Sequence, residues 1–178
     1  MKASRIERPG PPSRSERNRC SVQKGYESAS VAHRLRHLAA FVAHVVGRPY
    51  SEVLRYIQEI EDDDDLMGTI AAGVSKQRRG ANAEMPYWRR LGWYALVRAL
   101  KPRFVVETGV DKGLGACVLT AALRRNAADE SEGRYIGTDI NPEAGYLLRG
   151  EYARYGEIRE EPAGHWYGGA GIGVAFRQ

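Results

Sequence analysis

Arg103-Phe-Val-Val-Glu-Thr-Gly-Val-Asp-Lys-Gly-Leu-Gly-Ala116 is the stretch on which the fold turns. Its first five residues form a short apolar run closed by an acid, the length of a buried strand. Gly109, Gly113 and Gly115 mark a turn, and apolar residues then continue through Cys117, Leu119 and Leu123 to about Arg125 at helical spacing. In a strand, glycine turn and helix in that order, glycines let a ligand approach the main chain and the helix start offers unpaired N–H groups.

Toward the carboxyl terminus, a polar turn (Asn126 to Gly133) leads into Arg134-Tyr-Ile-Gly-Thr-Asp-Ile-Asn-Pro142, a second strand ending in an acid. Asp139 then falls at the carboxyl end of a neighbouring strand, where a carboxylate can accept both hydroxyls of a ribose. A helix over Glu143 to Tyr155 and a short strand near Ile158 are expected next. Beyond Glu160 neither strand alternation nor helical period is evident, and Gly169-x-Gly171-x-Gly173 has no strand leading into it, so 161–178 is read as an irregular glycine-rich tail.

Toward the amino terminus the pattern is helical. Val31, Leu35, Leu38, Val42 and Val45 recur every three or four residues, and Gly47 and Pro49 end that helix. His33, His37 and His44 share its opposite face, with no H-E-x-x-H motif to suggest a metal, so no metal site is expected. Ser51 is a plausible cap for a second helix carrying Val53, Leu54, Ile57 and Ile60 to Glu61. The acidic run Glu61 to Asp65 lacks the alternating ligands of a calcium loop and reads as a solvated connector beginning a third helix that Gly80 closes. Pro86 opens a strongly apolar fourth helix, and Lys101-Pro102 breaks it.

The 178 residues can bury one core. The net charge is +5, and residues 1–24 alone, with seven bases and two acids, account for all of it. A basic balance confined to a proline- and serine-rich tail gives no nucleic-acid face to the folded part, and disorder is the expectation for the tail. No apolar run is long enough to span a bilayer, so no membrane partner is expected and the chain reads as cytoplasmic. Cys20 and Cys117 suggest neither a disulfide framework nor a metal knuckle.

Val105-Val-Glu-Thr-Gly-Val-Asp-Lys-Gly-Leu-Gly115, followed by Tyr135-Ile-Gly-Thr-Asp-Ile-Asn141, resembles motif I and the post-I acid of class I S-adenosylmethionine-dependent methyltransferases, nearest their small-molecule O-methyltransferase-like branch. The resemblance runs from about Tyr87 to Arg159. It implies S-adenosyl-L-methionine as cofactor and a small-molecule methyl acceptor, with O-methylation the expected reaction. It also implies a cofactor site of Glu107, Gly109, Val110, Asp111, Gly113, Gly115 and Asp139. Glu107 would lie near the methionine amino group, the glycine turn along the methionine and ribose, and Asp139 at the ribose hydroxyls. The family's general base comes from later strands or loops, so no catalytic residue is named.

The fold class expected is α/β, a partial Rossmann-like parallel sheet preceded by an α-helical N-terminal region. Its divisions are a basic tail (1–28), a helical region (29–84), a Rossmann-like cofactor-binding region (85–160) and the irregular tail (161–178). Too few residues follow Gly109 for the family's full sheet, which implies truncation after the third strand. Two other readings stand beside this one. Thr108-Gly109-x-x-x-Gly113-x-Gly115 also fits the glycine pattern of NAD(P)-binding short-chain dehydrogenases, although Glu107 is unlike their apolar strand and no tyrosine is followed four residues later by lysine. The long helical start also suits a noncatalytic interaction module fused to a degenerate Rossmann fragment. A homo-oligomer stays open.

Overall fold

The structure is a computed structural model that describes residues 31–77, 90–160 and 171–175. The expected tail 1–28, the Gly80 stop, the Pro86 helix start and residues 161–170 lie outside the described residues. The chain forms two compact units, Met1–His37 and Leu38–Gln178. Among the described residues no helix is long and apolar enough to cross a membrane.

Helix α1 covers residues 31–46 and ends at Gly47, whose φ of +63° breaks the helical run. The expected apolar stripe is only partly kept: Val42 is buried with Ala39 and Ala43, whereas Val45 and Phe41 are exposed. The buried face is thus centred on Ala39, Val42 and Ala43, which share one side of the helix at i, i+3 and i+4. Helix α2 (Tyr50–Glu61) buries Val53, Ile57 and Ile60 as the spacing predicts, whereas Leu54, expected on the same side, is half-buried and Tyr56 is buried. Its cap is Pro49 and not Ser51, and no side chain caps it, because proline's fixed φ already suits a helix entrance.

Helix α3 (Asp64–Gln77) begins inside the acidic run. Asp63, expected to be solvated, is buried: its Oδ1 caps α3 by accepting the Leu66 N–H at 3.0 Å and also accepts the Tyr152 hydroxyl at 3.0 Å, while Arg125 lies 4.0 Å from Oδ2. Burial, followed by the charge of Asp63, pushes the Tyr152 phenol up.

Helix α4 (Leu91–Leu100) is buried along most of its length and stops at Lys101, in the left-handed region just before Pro102. One buried charge sits in this apolar helix. Arg98 donates from Nε and Nη2 to Glu59 at 2.7 and 3.1 Å, and from Nη1 to Asp129 at 3.0 Å and to the Asn126 side chain. The Tyr94 hydroxyl donates to the same Glu59 at 2.8 Å, and the guanidinium lies 4.8 Å from the Tyr56 ring centroid. The network therefore joins α2 to α4 and to the next helix.

That helix, α5 (Leu114–Ala128), follows strand β1 (Phe104–Thr108) and precedes strand β2 (Arg134–Asp139). Leu114, Ala116 to Ala122 and Leu123 are all buried, each large aliphatic contributing about 1.5–3 kcal/mol. Strands β3 (Gly156–Glu160) and β4 (Gly171–Ala175) complete a four-stranded sheet in the order β3-β2-β1-β4. The strands β1, β2 and β3 run parallel, as the α/β reading requires.

Two expectations fail here. The helix over Glu143–Tyr155 is replaced by turns through 142–147 and a short 3-10 turn at Tyr152–Tyr155. Gly145 (φ +76°) and Gly150 (φ +60°) stop a helix from forming, and Gly145 is pressed against Ile158 of β3 and the backbone of Gly113. The tail is not wholly irregular either, since residues 171–175 form β4, antiparallel to β1. Gly171-Ile-Gly-Val-Ala175 does alternate small with β-branched residues, a period-2 signal that its glycines obscure.

Candidate functional site

The parallel register sets Glu107 opposite Gly137 and Thr108 opposite Thr138, so Tyr135, Gly137 and Asp139 share the sheet face of Val105 and Glu107. Both predicted acids thus come to the carboxyl ends of neighbouring strands, on one face. They differ in depth. Glu107 is 5% exposed, whereas Asp139 is half-buried at the rim.

Asp139 is held by the main chain around it. Its Oδ2 accepts the Asp111 N–H at 2.9 Å and its Oδ1 accepts the Asn141 N–H at 2.9 Å, which among the described residues leaves a lone pair on each oxygen for a further donor. Across the same rim Gly109 N–H donates to the Thr138 carbonyl, Gly145 N–H to the Asp111 carbonyl and Leu147 N–H to the Lys112 carbonyl, at 2.9, 2.7 and 3.0 Å. The glycine turn after β1 and the turns after β2 are therefore laced into one rim.

Of the predicted cofactor residues, Gly109 and Asp111 are exposed there beside the half-buried Asp139, whereas Val110, Gly113 and Gly115 are buried. Gly113 has φ +91°, and an added Cβ would lie 2.7 Å from the Gly145 Cα. A Cβ on Gly115 would run into the Glu107 carboxyl, whose Cδ would be 2.9 Å away. These two glycines are required by the packing of the fold itself. Gly109 (φ +74°) is the one whose main chain faces outward.

Glu107 lies beside the first turn of α5, where the helix dipole favours its charge. Its Oε2 accepts the Tyr135 hydroxyl at 2.7 Å. Burial raises its carboxyl above the usual range, against the Tyr135 hydrogen bond and the charge of Arg90, which lower it. The Tyr135 phenol is pushed up by burial and then by Glu107, with smaller contributions from Cys117 and Asp139. Burial and Glu107 also push the Cys117 thiol up to about 12, which leaves it protonated and unreactive. The Tyr135 hydroxyl thus feels both acids, while its hydrogen bond goes to the buried one.

Tyr135 and Arg90 did not emerge from the motif. The signal was present: period-2 alternation aligns Tyr135 with Glu107, and Gly137 leaves room for its ring, since a Cβ there would meet the Tyr135 hydroxyl. Two concavities of about 450 Å³ each lie away from this rim at the strand beginnings, one beside Phe104, Arg134 and Arg154 and the other beside Lys101 and Glu130. Among the described residues no three metal-binding side chains cluster. Comparison with protein-family models, with curated proteins and with solved structures finds no match to this chain.

Proposed function

We propose that the rim at the carboxyl ends of β1 and β2 binds S-adenosyl-L-methionine, and that the chain belongs to methyl-transfer chemistry on a small-molecule acceptor, with a hydroxyl oxygen as the methyl-accepting atom. The observation that supports this most is the chemistry of the rim. Asp139, Asp111 and, beneath them, Glu107 make it acidic, which suits a ligand bearing a sulfonium and an ammonium group and opposes the pyrophosphate of a nicotinamide dinucleotide. Asp139, oriented by two backbone N–H groups and still open on both oxygens, is the fitting acceptor for ribose hydroxyls. Gly109 and Asp111 would border the methionine side through their main chain. Glu107, buried beneath the turn with its Oε2 taken by the Tyr135 hydroxyl, would act on the methionine ammonium through its charge.

The bound cofactor supplies an already activated methyl group, so the protein's task is to position the acceptor in line and exclude water. Titration calorimetry with S-adenosylhomocysteine and with NADP, on the wild type and on Asp139→Asn, tests the reading. Binding of the first ligand, weakened at least about tenfold in the variant, is expected from the loss of a charged acceptor, worth about 1.5–3 kcal/mol. Tighter binding of NADP would favour dehydrogenase chemistry. Binding of neither would leave a noncatalytic module.

A further inference from the structure

We propose that His33 and His37 form a two-point chelate for a divalent first-row transition metal. The residues stand four apart on α1, so their side chains rise from one face of the helix a single turn apart. Their Nε2 atoms are 3.1 Å apart and their ring centroids 4.3 Å, and both rings are exposed. Imidazole nitrogens bind such metals at about 2.0–2.1 Å, so a 3.1 Å separation corresponds to a ligand–metal–ligand angle of about 100°, between the square-planar and tetrahedral values. The spacing of the bite is therefore set before any ion arrives, and binding requires only that the rings turn until both lone pairs meet at the ion.

Without metal, one Nε2–H donates to the other ring's lone pair. Binding needs both Nε2 lone pairs, so the donor ring passes its proton to Nδ1 by exchange with water, and each ring then coordinates as neutral imidazole. The sequence pattern offers no further ligand, and no third His, Cys, Asp or Glu joins the pair among the described residues. Water completes the coordination shell. A site built only from imidazole and water follows the Irving–Williams order, preferring Ni²⁺ over Co²⁺. His44, outside the pair, serves as the control.

The test is calorimetric titration of the full chain with Ni²⁺ and with Co²⁺, for wild type, His33→Ala, His37→Ala and His44→Ala. Helical content is followed by circular dichroism, and alanine preserves it at exposed helix positions. Wild type and His44→Ala are expected to take up one Ni²⁺ with equal affinity, tighter than Co²⁺. Either of the other two variants should lose about a hundredfold, the low end of what linking two donors gains. Tight Ni²⁺ binding that survives His33→Ala or His37→Ala overturns the proposal, as does a wild type that takes up no Ni²⁺ at millimolar concentration.

Discussion

Replacing Arg98 by methionine removes the guanidinium that ties α2, α4 and α5 together, while keeping most of its apolar stem. The arginine gives up four hydrogen bonds, two to Glu59 and one each to Asp129 and Asn126. The Glu59 and Asp129 side chains are 24% and 47% exposed, so water recovers part of what they lose. Asn126 is fully buried, and its Oδ1 loses the Arg98 donor, which costs about 1–3 kcal/mol. Breaking a fully buried ion pair costs about 3–5 kcal/mol, and partial rehydration places this case at the lower end, about 3 kcal/mol. With a urea m-value of about 2 kcal/mol/M, the unfolding midpoint should fall by about 1.5 M. The double variant Arg98→Met/Glu59→Met should lose less than the sum of the two single changes, because it leaves no half-paired charge. A loss below about 1 kcal/mol for Arg98→Met, or strict additivity in the double variant, would refute this account of the network.

Two further outcomes follow from the rim. Burial raises the Glu107 carboxyl, so the folded protein holds that proton more tightly than the unfolded chain, and stability falls as pH rises from the unfolded value of about 4.3 through the raised folded one. Glu107→Gln should therefore melt higher than wild type at pH 7, with the advantage closing below about pH 4; a melting curve that shows no such convergence would remove burial as the cause. Gly113→Ala combines a φ of +91° with a methyl driven against the Gly145 backbone, and should cost about 2–5 kcal/mol. Gly115→Ala presses on the Glu107 side chain, which can swing, and should cost less in the same urea titration; the reverse ranking would contradict the packing.

Where period and turn chemistry were strong, the fold was readable from the chain. The run Val105-Val-Glu107 closed by Gly109, and Tyr135-Ile-Gly-Thr-Asp139, became neighbouring parallel strands because their apolar positions alternate in register across a buried face. Gly145 and Gly150 defeated the expected helix after β2 because their backbone conformations, not their lack of side chains, decide the local path. β4 was missed because glycine depresses strand propensity wherever it stands, although here it alternates with Ile172 and Val174. At the site, sequence spacing identified which residues gather at the rim. It could not order them in depth, because depth is a product of packing: Tyr135 reaches Glu107 only after β2 lies beside β1 and Gly137 leaves space. The charge network of Arg98 is invisible for the same reason, since its three acceptors are 28 to 39 residues away.

Asp63 gives the acidic run a meaning beyond solubility. One carboxylate starts α3 and takes the hydroxyl of Tyr152 from the approach to β3, while facing Arg125 of α5. A graft that excised the strand-turn-helix portion and discarded the helices before it would strip that tyrosine of its acceptor and uncap nothing in exchange. The strand-turn-helix here is thus no transplantable cassette: the turn that leads into β3 is moored to a residue that the chain lays down about forty positions before β1 begins.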